Sequence, residues 1–259
     1  PFFLAAFVIT WGLQLPGLLA HEGFIPGPVE QYMPLLGLGA LGPLFAALFV
    51  NRKGAGGSGA RALFRRFGIT GFSPIWFVAA LLVPGLIFVL GKFVFTSLGG
   101  SEPGPWLYLP LAAERIVALF FFSFGEEVGW RGYAYPRLRR RYGSVWGSLI
   151  LGLFWGLWHV PMFLLVDLSP FFMVVMFFVF LPAGSVVFGW FFERTRGSLL
   201  VALLLHMGAH LNNTHQALPG DVVPAYVHTV AYLLVALALV AFDREFRSGP
   251  IERGESLHE

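Results

Sequence analysis

Along this chain polar residues come in short bursts between long apolar runs. A helix needs roughly 20 apolar residues to cross the hydrocarbon of a bilayer. Eight runs approach that length: 2–20, 32–50, 74–97, 106–125, 145–166, 170–192, 198–214 and 222–242. The pattern predicts an all-α fold, a polytopic membrane helical bundle of about eight transmembrane helices. A single integral membrane domain spans 1–259, and neither an internal repeat nor a soluble domain is legible. Pro84–Gly85 and Pro182–Gly184 fall inside runs, which bundled helices tolerate where neighbours satisfy the freed backbone groups. The first run has no basic lead-in and no small-residue cleavage site, so a retained span is expected rather than a signal peptide.

Composition sharpens this picture. Of 259 residues, 57% are hydrophobic and 12% charged, about half the charge of an ordinary soluble domain. So much apolar surface requires lipid as its solvent. There is no cysteine, which excludes disulfides and thiolate metal sites. The net charge of +3 averages over a strong asymmetry. Arg52, Lys53, Arg61, Arg65 and Arg66 follow the second run, and Arg131, Arg137, Arg139, Arg140 and Arg141 the fourth. Arg194 and Arg196 follow the sixth, and Arg244, Arg247 and Arg253 lie in the tail. The alternate loops hold His21, Glu22, Glu30, Glu102 and Asp221, with Asp167 at a span end. The positive-inside rule makes the basic side cytoplasmic, with both termini inside. Residues 51–73 then form a basic cytoplasmic loop, in which 54-GAGGSG-59 reads as a flexible linker, and 243–259 a cytoplasmic tail. The compact chain suggests a prokaryotic plasma membrane. Membrane lipid is the partner this composition implies, and nothing points to nucleic acid.

Ionisable groups at membrane depth are expensive, so each is a functional candidate. In 126-EEVGWR-131, Glu127 and Arg131 are four residues apart in the favourable order for an ion pair. Glu126 lies about 100° around the helix and stays available as a base; the plain alternative is a pair of interfacial acids. His159 follows Trp155 by one turn, and a core histidine bonded to a backbone carbonyl is the alternative. His206, His210 and Asn213 form one stripe, with Gly208 and Ala209 permitting close helix approach; interhelical hydrogen bonding is the alternative. Lys92, Glu114 and Arg115 read as a structural ion pair or snorkelling, and Gln14 and His228 as packing residues. A Glu and imidazoles from three helices make a hydrolytic kit that activates water and stabilises an oxyanion. No Ser or Cys sits in a nucleophile context.

These motifs resemble the CPBP family (CAAX protease and bacteriocin-processing, also called Abi) of intramembrane endopeptidases, which includes Rce1-like CaaX proteases. Glu126, Glu127 and Arg131 meet its EExxxR motif in full. Trp155 and His159 match its Phe-x-x-x-His motif with Trp in place of Phe. His206 and His210 match its His-x-x-x-Asn/Asp motif, with His210 replacing the amide or acid. The resemblance covers about 106–214, the expected catalytic core. It implies hydrolysis of a peptide bond in a hydrophobic or lipidated peptide, within a cytoplasm-facing cavity. Glu126 and His159 would activate water, His206 and His210 support the oxyanion, and Glu127 and Arg131 orient the site. No metal is favoured by the resemblance. Zinc held by His159, His206, His210 and Glu126 stays open, because i, i+4 histidines also suit a zinc-binding helix. A non-catalytic immunity or partner-binding protein on the same scaffold is the alternative function, and a small transporter a third.

Overall fold

The computed structural model describes residues 1–55, 57–101, 106, 113–165, 169–211 and 225–249. Among them every regular element is helical. In chain order they are α1 (Phe2–His21), α2 (Met33–Gly39), α3 (Gly42–Ala55), α4 (Gly57–Arg65), α5 (Ile75–Ser97) and α6 (Ala113–Glu127). Next come α7 (Tyr135–Tyr142), α8 (Ser144–Trp158), α9 (Val160–Leu165), α10 (Pro170–Val175) and α11 (Leu181–Arg194). The last are α12 (Leu199–Leu211), α13 (Ala225–Phe242) and α14 (Arg244–Arg247).

Every predicted run contains helix. Four stretches are long and apolar enough to cross a membrane by themselves: 2–21, 29–52, 75–97 and 170–194. The apolar helices 144–158, 199–211 and 226–242 are shorter. Large apolar side chains such as Leu4, Val8, Leu82, Leu86, Phe121 and Leu237 face outward, while Glu126, Glu127, Arg131 and His206 are buried. A bundle that is apolar outside and charged inside is built for lipid.

Three departures from the sequence reading bear on the site. The chain after Glu127 does not enter a loop. It continues through a π-helical segment, Val128–Ala134, into α7. The expected linker 54–59 instead has α3 ending at Ala55 and α4 beginning at Gly57. Buried Leu63 anchors α4 on the π segment, where a Cβ on Gly132 would meet its Cδ1 at 2.8 Å. The fifth run also breaks, between α8 and α9. Pro161 has no N–H to continue the ladder, and His159 closes α8 through its backbone N–H to Gly156 O at 3.0 Å.

Close helix approach positions the site. α12 packs on α5, and α11 on α8. A side chain at Gly208 of α12 would meet the carbonyl oxygens of Ala80 and Leu81 at 2.7 Å. Only glycine admits that contact, which brings the histidine stripe inward as its small neighbours predicted. Gly125 plays the same part for α6, with Ala40 O 2.9 Å from where its Cβ would lie.

Candidate active site

The two glutamates end α6 and diverge. Glu127 is fully buried and its Oε1 accepts two bonds, from Arg131 Nη1 at 3.0 Å and from His206 Nδ1 at 2.8 Å. Arg131 is also fully buried, its guanidinium 4.5 Å from the centres of both the Trp155 and Phe188 rings. The predicted Glu127–Arg131 pair therefore exists, and aromatic faces replace water around the cation. The bond from Glu127 to His206 was not legible in the spacing, because it joins residues 79 positions apart.

Glu126 faces elsewhere, as its angular offset predicted. Its Oε2 accepts the Trp155 indole N–H at 2.6 Å, and its Oε1 lies 4.0 Å from His206 Nε2. Trp155 is the hub: its ring lies 5.6 Å from that of His206 and 5.8 Å from that of His159. His159 Nδ1 bonds the Trp155 carbonyl at 2.8 Å. This is the backbone contact of the plainer histidine reading, and it seats the ring beside Trp158 at 4.7 Å and Phe163 at 5.6 Å. Both Nδ1 atoms face acceptors, so in the neutral rings they carry the hydrogen and both Nε2 atoms present lone pairs.

Glu126, Glu127, Arg131, Trp155 and His206 thus converge directly, and His159 joins them through Trp155. His210 is half-buried, its ring stacked on that of His206 at 5.1 Å and 16°. Asn213 lies outside the described residues. Phe188 escaped the sequence reading: it closes the site from α11, its ring 5.7 Å from that of His206. An apolar residue inside an apolar run carries no signal. Among the described residues no three metal-ligating side chains are grouped to hold a metal ion.

The other polar groups stand apart. Lys92 is fully buried on α5 whereas Glu114 is exposed. His228 is buried with its ring edge on Phe88 at 4.3 Å, and Gln14 is buried on α1, both as packing residues.

Comparison with known proteins points the same way. Residues 106–212 match the family described as type II CAAX prenyl endopeptidase, Rce1-like. The chain is also 26% identical to CAAX prenyl protease 2 of Methanococcus maripaludis, over 94% of this chain and 93% of that protein.

Proposed function

We propose that the chain, with an Rce1-like segment near its centre, is a CAAX-type protease that cuts a hydrophobic or lipidated peptide with water activated by Glu126. The carboxylate takes a proton from water as the oxygen attacks the scissile carbonyl, then returns it to the departing amine. The water's other hydrogen is donated to one imidazole Nε2 lone pair, that of His206 beside Glu126 or that of His159, and this bond fixes its approach. On this reading His206 is an acceptor toward the water rather than a donor to the oxyanion, because its only ring N–H is committed to Glu127. The oxyanion donor is then His210, stacked beside it. Glu127 and Arg131 hold His206 in place.

One observation carries the proposal: a single carboxylate receives the Trp155 indole on one oxygen and has a histidine Nε2 4.0 Å from the other. The basic loops support a cytoplasmic entrance. Arg66, Arg139 of α7, Arg194 at the end of α11 and Arg196 line one cavity, and basic segments beside membrane spans stay in the cytosol.

The test uses full-length protein in membranes with a farnesylated CAAX peptide and its unprenylated counterpart. Glu126→Ala and His159→Ala are each expected to abolish cleavage while the protein inserts and folds. Full activity in both variants would end the proposal. The mechanism is proposed as metal-free, with zinc on His159, His206, His210 and Glu126 as the rival. Chelation that removes activity, restored by stoichiometric zinc, would favour that rival.

A further inference from the structure

The cavity at the basic end of the bundle is polar and of about 490 Å³, and Arg66, Arg139, Arg194 and Arg196 are among its lining residues. Two of these arginines are answered. Arg139 Nε lies 2.9 Å from Glu193 Oε1, as an ion pair without hydrogen-bond alignment. Arg194 bonds Glu245 Oε2 at 2.7 Å and also pairs with Asp243.

Arg66 and Arg196 have no acidic partner among the described residues. Arg66 is half-buried, its guanidinium 5.8 Å from the centre of the Phe192 ring. Burial, and then the like charge of Arg137, hold it below the usual arginine range. An anion beside it would reverse both effects. Arg196 has φ 55°, and among the described residues it is the one non-glycine with positive φ. Such outliers concentrate where a ligand is held.

The backbone is shaped around both cations. A Cβ at Gly197, where φ is 82°, would lie 2.8 Å from Arg66 Nη1. A Cβ at Gly71, where φ is 89°, would lie 2.9 Å from Arg196 Nη1. Two glycines in the left-handed region thus clear seats for two guanidinium groups that nothing in the described chain neutralises. Planar guanidinium forks suit phosphate oxygens, and the basic end of a membrane protein meets anionic headgroups.

We propose that this cavity binds a phosphate-bearing anion between Arg66 and Arg196, supplied either by an anionic phospholipid headgroup or as free phosphate. The site does not depend on the peptidase reading.

The experiment titrates full-length protein in a neutral detergent with phosphatidylglycerol, phosphatidylcholine or inorganic phosphate, following the thermal midpoint and the lipid retained in native mass spectra. Phosphatidylglycerol is expected to raise the midpoint by a few degrees, and phosphatidylcholine to leave it unchanged. An equal response to inorganic phosphate alone assigns the site to the free anion, and a response to phosphatidylglycerol only assigns it to the lipid. Arg66→Gln combined with Arg196→Gln should weaken binding at least about tenfold, whereas Arg140→Gln, an exposed residue outside the cavity, should not. Should the double variant fail to fold, Arg66→Lys and Arg196→Lys keep the charge but lose the fork, and each should weaken binding severalfold. No wild-type response to either phosphate source overturns the proposal. So does an undiminished response in the double variant or in both lysine variants.

Discussion

Two of the arginine–carboxylate clusters among the described residues differ sharply in burial. In one, Glu127, Arg131 and His206 are sealed from solvent between aromatic rings. In the other, Arg194 joins Asp243 and Glu245 at the surface, where Glu245 is largely exposed. The surface cluster ties α11 to α14 and receives the Trp190 indole on Asp243 at 2.8 Å. Water and salt screen it, so it is a weak tie. The buried cluster has no such screening. Each charge there is tolerable only because the others are present, and the same contacts that neutralise it also aim His206.

The largest effect should come from breaking the buried cluster. Arg131→Met or Glu127→Leu alone leaves an uncompensated buried charge and should cost about 3–5 kcal/mol, read as unfolding in detergent. The double variant should recover most of that stability but no cleavage, since His206 loses its anchor. Recovery of cleavage would separate stability from aim. Next comes Trp155→Phe, which keeps the ring and removes the N–H to Glu126. A bond to a charged group contributes about 1.5–3 kcal/mol, so kcat should fall roughly 10- to 150-fold with little change in KM. An unchanged kcat would make Trp155 a packing residue only. His210→Asn, which keeps an N–H donor, should stay within severalfold of wild type; loss as complete as that of His159→Ala would show that the imidazole itself is required.

The smallest effect belongs to the surface tie. Arg194→Ala should cost about 1 kcal/mol or less and leave cleavage unaltered. Burial would raise the Asp243 carboxyl, but the Phe246 backbone N–H, the Trp190 indole and Arg194 outweigh it and hold the group at about 2. A depressed carboxylate stabilises the fold above its unfolded pKa and loses that contribution as pH falls through the folded one. Titrating Asp243 should therefore change nothing between about pH 5 and 8. A dependence there that vanishes in Asp243→Asn would contradict this.

Periodicity was enough to foresee the long apolar helices and the facing of their polar residues. Charge at membrane depth marks itself by its cost, so Glu126, Glu127, Arg131, His159 and His206 were legible. Contacts across the bundle were not. Trp155 reads as a departure from a Phe, yet its indole N–H supplies a bond that Phe lacks. Phe188 has no polar atom to betray it. The helical content of 128–142 was obscured by arginines and glycines that look like loop residues until Gly132 is seen packed on Leu63.

The π-helical winding of Val128–Ala134 sets a phase. A segment of this kind accommodates a surplus residue inside an α-helix. Deleting one amino acid there, with a return to ordinary winding, would leave α7 in nearly the same phase, whereas a deletion within α7 would find no surplus residue to absorb it and would swing everything downstream by about 100°. Point substitutions along this stretch are thus a question of packing. A one-codon insertion or deletion beyond this stretch is a question of register, and it would turn the α7 arginines relative to Glu126 and Glu127.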